Sequence, residues 1–115
     1  MQEIASMPER IRTYAEFWPF YLRQHSRRLT RALHIFGTGV AILLLLGAIV
    51  LGRPALLLAA VIAGYGFAWL GHFAVEKNRP ATFSYPLWSF VSDVRMLWLW
   101  ASGRLGSELA RHQIR

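Results

Sequence analysis

The chain has 115 residues, of which 55% are hydrophobic and 14% aromatic, and its formal net charge is +7. This length suits one domain, and the long apolar runs with basic margins exclude an ordinary nucleic-acid-binding protein and indicate a membrane protein. The chain contains no cysteine, so disulfides and thiolate metal sites are excluded, and His, Asp or Glu must hold any metal. We predict an all-α integral membrane bundle of about four helices, with a two-helix transmembrane hairpin at its centre.

The first predicted helix covers residues 8–25. Tyr14, Trp18 and Tyr21 recur there at helical spacing, which indicates an amphipathic helix lying at the lipid surface. Pro19 stands inside this pattern and is predicted to kink or split the helix near Phe17.

Two apolar runs follow, at residues 32–51 and 55–75. Each has roughly the ~20 residues that an α-helix needs to cross the hydrocarbon of a bilayer. The second run carries a stripe of small residues, at Ala60, Gly64, Ala68 and Gly71, along which a neighbouring helix can approach closely. These runs predict the transmembrane hairpin.

The basic residues are distributed unevenly around this hairpin. Most of them precede or follow it, and only Arg53 lies at its turn. The positive-inside tendency then places both ends of the hairpin in the cytoplasm and the turn on the far side. We predict a bacterial inner-membrane protein whose site lies near the cytoplasmic face.

A third apolar helix is predicted over residues 86–101, opened by Pro86. It contains Asp93 and Arg95, and a charge in an apolar segment is expected to have a partner. A full span, a re-entrant helix and an interfacial helix are the alternatives for this segment.

Two histidines lie at corresponding ends of the two spans. His34 starts the first and His72 ends the second, so in an antiparallel hairpin both lie at the same depth and can face each other. Glu76 follows His72 by four residues and shares its helical face, which continues inward through Trp69 and Tyr65. As an alternative, Tyr65 and Trp69 serve only in packing.

His25 is the third candidate and lies nine residues before His34. It can join the same site only if the chain bends between Ser26 and Thr30. Three histidines and a carboxylate would suit a non-thiolate iron or zinc site. Alternatively, these histidines are hydrogen-bonded residues at the membrane surface. His112 lies in a polar tail and is interpreted as incidental.

Several short sequence blocks together resemble the Mpo1-like family (DUF962) over about residues 14–105. They are Phe20-Tyr21-Leu22-Arg23-Gln24-His25, His34-Ile35-Phe36-Gly37-Thr38, Gly64-Tyr65, Ala68-Trp69-Leu70-Gly71-His72-Phe73, Glu76-Lys77-Asn78-Arg79-Pro80-Ala81-Thr82-Phe83 and Tyr85-Pro86-Leu87-Trp88-Ser89 with Asp93 and Met96. The resemblance implies an integral membrane, iron(II)-dependent dioxygenase that uses O2 to shorten 2-hydroxy fatty acids by one carbon. It also implies that the family's histidines correspond to His25, His34 and His72, with Glu76 and Asp93 in matching blocks.

On this basis we expect His25, His34 and His72 to hold Fe(II), with Glu76 as a fourth ligand or as an acceptor that fixes an imidazole tautomer. The substrate-binding residues are predicted to be the nearby cations and the inner aromatic and acidic groups, namely Arg27, Arg31, Lys77, Arg79, Tyr65, Trp69 and Asp93. For the cations, membrane topology and anionic lipids are the alternative explanation. Expected partners are the hydroxy acid, O2 and membrane lipids, with a homo-oligomer as one option and no nucleic acid.

Two other functions are compatible with the same residues. His34 and His72 could be facing axial ligands of a haem. The chain could also be a non-catalytic lipid-binding or scaffold protein whose histidines are interfacial.

Overall fold

The computed structural model describes residues 10–114, which contain five α-helices and no strand. The helices are α1 (Tyr14–Arg23), α2 (Arg28–Leu51), α3 (Ala55–Leu70), α4 (Pro86–Ala101) and α5 (Leu105–Arg111). A π-helical turn, Gly71–Glu76, extends α3, and a short 3-10 helix, Ala81–Phe83, lies in the loop before α4. The predicted all-α class is confirmed, with α5 as a helix that was not predicted.

Helix α1 begins later than the predicted residue 8. Thr13 has extended backbone angles and its hydroxyl accepts a hydrogen bond from the Glu16 amide at 3.3 Å, so the helix starts at Tyr14. Residues 8 and 9 of the predicted helix lie outside the described part of the chain.

The helix is not split at Pro19, since α1 runs through this residue as one helix to Arg23; the predicted kink stays a prediction. Proline removes one backbone hydrogen bond, but Phe17 and Tyr21 on either side are almost fully buried and their packing holds the helix together. The apolar face of α1 was predicted to meet lipid. It instead forms the protein core with α4 and α5, through Phe17, Trp18, Tyr21, Leu22, Met96, Leu105 and Leu109.

Helices α2 and α3 form an antiparallel hairpin. Helix α2 has 24 residues, α3 with its π turn has 22, and both are long and apolar enough to cross a membrane. Helix α2 begins at Arg28 rather than at the predicted residue 32. Gly52 ends it in the left-handed conformation, at φ 62°, which glycine adopts without steric cost.

Small residues set the spacing of this hairpin. A Cβ at Gly37 would lie 2.7 Å from the Cβ of Phe67, and one at Gly71 would lie 3.1 Å from Thr30 Cγ2. Ala60 and Ala68 of the predicted stripe are buried. The close approach of the two helices therefore depends on missing side-chain bulk, as the stripe predicts.

Helix α4 has the predicted bounds, 86–101. Ser89, Ser92 and Met96 form its buried side, while Leu87 and Phe90 are exposed. It packs against α1 and α2 but makes no extensive contact with α3. The loop at 80–83 covers part of the side between α3 and α4, where the ring centroid of Phe83 lies 5.3 Å from that of Trp69, while Phe90 of α4 stays exposed.

Candidate metal centre

The site begins where the chain bends between α1 and α2. Residues 24–27 make this bend, slightly earlier than predicted, and His25 within it is fully buried. The Arg31 guanidinium donates hydrogen bonds to the carbonyl oxygens of His25 (2.7 Å) and Ser26 (3.0 Å). This arginine thereby holds the bend that turns His25 toward the hairpin.

The bend brings His25 together with His34 of α2 and His72 of the π turn. The ring centroid of His25 lies 4.6 Å from that of His34 and 4.5 Å from that of His72. All three side chains are buried, and one nitrogen from each lies within 4.8 Å of the others. The predicted convergence of the three histidines is confirmed, and the group could hold a metal ion.

The outer hydrogen bonds of His25 and His34 indicate where their protons lie. His25 Nδ1 is 2.7 Å from the Tyr21 carbonyl oxygen, and His34 Nε2 is 2.5 Å from Asp93 Oδ1. Both partners are acceptors, so we assign the proton to the outer nitrogen in each ring. His25 Nε2 and His34 Nδ1 therefore carry lone pairs.

The third imidazole is oriented in the same way. His72 Nδ1 donates to Asn78 Oδ1 at 2.8 Å, and the Asn78 amide group in turn donates to the Gln24 carbonyl oxygen at 3.1 Å. The second contact fixes which end of the Asn78 amide faces the ring. His72 Nε2 is then also left with a lone pair, and second contacts of this kind are typical of metal-binding histidines.

The inner nitrogens fit a divalent transition metal. His25 Nε2 and His34 Nδ1 lie 3.3 Å apart, and two facing lone pairs without a proton between them repel unless a cation lies beside both. Burial lowers the pKa of His25 well below its usual value, with further lowering from His34 and His72, so this imidazole is neutral, the form that binds metals. Three neutral imidazoles are a donor set used for iron and zinc.

Asp93 has the partners that its place in an apolar helix requires. Its Oδ1 accepts from the Tyr21 hydroxyl at 2.6 Å as well as from His34. Burial, followed by the charge of Asp93, raises the pKa of Tyr21 well above its usual value, so the phenol stays protonated and donates. Asp93 thus acts on the centre through the His34 ring.

Glu76 lies outside the three-histidine group. Its carboxylate accepts from the Ser26 hydroxyl at 2.8 Å and from the Arg27 amide at 2.5 Å. A carboxylate in this position satisfies a free amide at the start of α2 and complements the helix dipole. Its role as a metal ligand stays a prediction.

The histidines open into a cavity of about 340 Å³ that runs between α2 and α3 as far as Leu45 and Leu57. Its walls are mainly apolar, and its size is in the range of small-molecule sites. Among the predicted substrate-binding residues, Tyr65, Trp69 and Asp93 line it.

The four predicted cations do not line this cavity. Arg31 instead lines a second cavity, beside Arg28, and Arg79 lies over the Phe83 ring, 5.2 Å from its centroid. Arg27 and Lys77 are exposed.

Sequence reasoning missed the residues that orient the imidazoles. Asn78 and Tyr21 stand in the sequence blocks quoted above, but no role was assigned to them. The signal for Asn78 was an amide residue in the proline-bounded loop directly after the His72 helix. For Tyr21, a hydroxyl on the apolar face of α1 could have been matched with Asp93, a carboxylate that needed a donor.

These features define a class of protein: an all-helical chain in which three buried histidines, oriented for metal binding, close one end of an apolar groove. The family model described as "Mpo1-like: 2-hydroxy-palmitic acid dioxygenase Mpo1-like" matches residues 11–105. The chain belongs to this family, as its sequence blocks indicated. Searches of curated proteins and of solved structures found no match.

Proposed function

We propose that this protein is a membrane-embedded, iron(II)-dependent dioxygenase that converts a 2-hydroxy fatty acid into the fatty acid one carbon shorter. The observation that carries the proposal is the group of three buried histidines at the closed end of an apolar groove. The family name supports the reaction and the type of substrate.

The surface of the hairpin supports a place in the bilayer. Large apolar side chains are widely exposed on α2 and α3, among them Leu43 at 70% and Val50 at 79%. Such a surface is unfavourable in water and is matched by lipid. With the basic residues concentrated at the other end from the turn, the metal centre would lie near the cytoplasmic face, which in a bacterium means the inner membrane.

Iron is proposed rather than zinc because the reaction is a redox reaction and zinc has no accessible redox change. His25, His34 and His72 would hold the ion. Bound ferrous iron would supply the redox chemistry that allows O2 to react with a closed-shell hydroxy acid.

The stoichiometry needs no further co-substrate. One 2-hydroxy acid and one O2 give one shorter acid, one CO2 and one water. The bond between C1 and C2 breaks, C1 leaves as CO2, and C2 becomes the new carboxyl carbon. Both carbons are oxidised, and the substrate itself supplies all the electrons that reduce O2.

The chain's own groups prepare this chemistry. The Asp93 carboxylate, the Tyr21 carbonyl and the Asn78 amide each retain a proton on the outer nitrogen of one imidazole, which keeps the inner lone pairs available. Burial of the three rings keeps water away from the reacting atoms. The apolar groove accepts the acyl chain and directs the acid end toward the histidines.

The experiment is a metal and activity measurement on the purified, detergent-solubilised protein. We expect non-haem iron in the wild type and, under air with Fe(II), conversion of 2-hydroxypalmitate to the shorter acid with one CO2 per O2 consumed. His72→Ala should lose the iron and the activity, whereas His112→Ala, at a histidine outside the cluster, should retain both. Full activity in His72→Ala, or no metal-dependent product in the wild type, would refute the proposal.

The geometry does not favour the haem alternative. The His25 ring lies within 4.6 Å of His34 and 4.5 Å of His72, in the region where a macrocycle between the other two rings would have to fit. We therefore expect no Soret absorption from the purified protein. The scaffold alternative predicts no tightly bound transition metal, and the same metal analysis distinguishes it.

A further inference from the structure

Ser89 of α4 carries a buried hydroxyl without a partner. The residue is only 3% exposed and lines the histidine cavity, and within residues 10–114 its Oγ makes no hydrogen bond. A serine inside a helix commonly donates to the carbonyl four residues earlier. Here the Tyr85 carbonyl receives the Ser89 amide at 2.9 Å and not the hydroxyl. A buried hydroxyl left unpaired is unfavourable, so its position requires an explanation.

Ser89 is close to the metal centre along its own helix. It lies four residues before Asp93, hence on the same face one turn away, and Asp93 contacts His34. It also lies in the first turn of α4, which opens with Pro86. The partial positive charge of a helix N-terminus favours an anion there.

The acid end of the proposed substrate needs such a donor. The predicted cations, Arg27, Arg31, Lys77 and Arg79, do not line the cavity. Among residues 10–114, Asp93 is the one carboxylate that lines it, and it would repel a second. A carboxylate drawn from water into this site loses hydrogen bonds that must be replaced.

We propose that the Ser89 hydroxyl donates a hydrogen bond to the carboxylate of the 2-hydroxy acid and thereby distinguishes acids from uncharged lipids. This inference rests on the proposed function, since the substrate is taken from it. Ser89 is then a substrate-binding residue supplied by α4, while the α2–α3 groove holds the acyl chain.

Helix α4 also offers a matched control. Ser92 is fully buried as well, but its hydroxyl is paired with the Tyr14 hydroxyl at 2.9 Å and it does not line the cavity. The two serine-to-alanine changes are chemically identical, but Ser89→Ala should weaken binding of the acid without a loss of stability, whereas Ser92→Ala should lower stability without weakening binding.

The test measures binding to the iron-loaded protein in lipid nanodiscs without O2, so that turnover plays no part. The probes are 2-hydroxypalmitate and hexadecan-2-ol, which keeps the chain and the 2-hydroxyl but has no polar group at C1 that could accept the Ser89 hydrogen bond. Ser89→Ala should bind the acid about tenfold more weakly, because it loses one charge-assisted hydrogen bond, and should bind hexadecan-2-ol as the wild type does. Ser89→Thr should bind the acid like the wild type.

The same set gives a stability readout. Ser89→Ala removes an unpaired hydroxyl and should not lower the melting temperature, whereas Ser92→Ala leaves the Tyr14 hydroxyl without its partner and should lower it without weakening either probe. Equal binding of the acid by wild type and Ser89→Ala, or an equal loss for both probes, would overturn the inference. If the wild type binds the acid but forms no CO2 under air, the proposed function fails, and the binding comparison still decides the role of Ser89.

Discussion

Asp93 and Asn78 orient two of the three histidines of the candidate metal centre without being among its nitrogen donors. Each accepts the outer proton of one imidazole, at 2.5 Å from His34 and 2.8 Å from His72. The negative charge of Asp93 also makes the His34 ring a stronger donor. Small changes at these two positions should therefore alter the metal affinity while leaving all three ligands present.

We predict that Asp93→Asn weakens metal binding by about 10- to 100-fold, because the neutral amide polarises the His34 ring less. The affinity is measured by competition with a chelator of known strength. Tyr21→Phe is the control, since it removes the second hydrogen bond to Asp93 but keeps the contact with His34. An equal loss in both variants would contradict the argument.

Glu76 offers a second prediction at this scale. Because its carboxylate accepts from Ser26 and from the Arg27 amide, Glu76→Ala removes the cap of α2. This should reduce the free energy of unfolding by about 0.5–2 kcal/mol and so lower the melting temperature. Bound metal per chain near the wild-type value would show that Glu76 acts only as the cap. Loss of the metal with unchanged stability would instead identify Glu76 as a ligand.

The relative directions of the His72 and Glu76 side chains show which part of the site could not be inferred from the spacing of residues in the sequence. Spacing of four residues puts two side chains on one face of an α-helix. The chain, however, forms a wider π turn from Gly71 to Glu76, which changes the angle between the two side chains. Local spacing carries no signal for this change, because π turns depend on the surrounding packing.

At the scale of elements, the hairpin was the most predictable part. Length, apolar composition and the turn at Gly52 determine two antiparallel helices, and this topology alone places His34 and His72 at one depth. The packing partners of α1 were not predictable in the same way. Its apolar face suits lipid and protein equally, and it packs on α4 and α5 because those helices supply Met96 and Leu109.

The groove between α2 and α3 has a definite length. His34 and Leu45 both line it and are eleven positions apart, about 16 Å along an α-helix. An extended alkyl chain advances about 1.25 Å per carbon, given carbon–carbon bonds of about 1.5 Å. The groove is therefore long enough for about 13 carbons of the proposed substrate beyond its acid end.

We predict that filling the groove shortens the preferred substrate. Leu45→Trp should shift the best 2-hydroxy acid by about 2–4 carbons, and Ile42→Trp, nearer the histidines, should shift it further, since each α-helical residue spans about 1.5 Å. Activity is measured on saturated acids of graded length. Leu43→Trp is the control, because Leu43 is 70% exposed and does not line the groove. An unchanged profile in the first two variants would show that the chain lies elsewhere.

At the scale of the whole molecule, Glu108 ties α5 to the rest of the fold. Its Oε2 accepts from Trp18 Nε1 of α1 at 2.6 Å and from Arg111 at 2.9 Å. Arg95 of α4 lies 3.8 Å away and His112 3.5 Å away. Burial alone would raise the pKa of Glu108, but the hydrogen bonds from Arg111 and Trp18 and the nearby positive charges lower it overall.

This lowered pKa gives a stability that depends on pH. A carboxyl group with a lower pKa in the folded state stabilises the fold above its ordinary value of 4.5, and this contribution is lost as the pH falls through the folded-state pKa. We expect the melting temperature of the wild type to fall more steeply below pH 4.5 than the melting temperature of Glu108→Gln. Glu16→Gln, at an exposed carboxylate on α1, is the control and should keep the wild-type slope. Parallel curves for the wild type and Glu108→Gln would contradict this role.

The exposed edge between α3 and α4 has a kinetic consequence for the proposed place of the protein in a bilayer. Tyr65 (45% exposed) and Trp69 (36%) on one edge and Phe90 (64%) on the other border the cavity, so an acyl chain can enter sideways from the surrounding leaflet. Under this proposal, substrate and product would exchange within the plane of the bilayer and need not pass through water. The rate should follow the mole fraction of hydroxy acid among the lipids, so added inert phospholipid slows turnover by surface dilution even when the bulk concentration is constant.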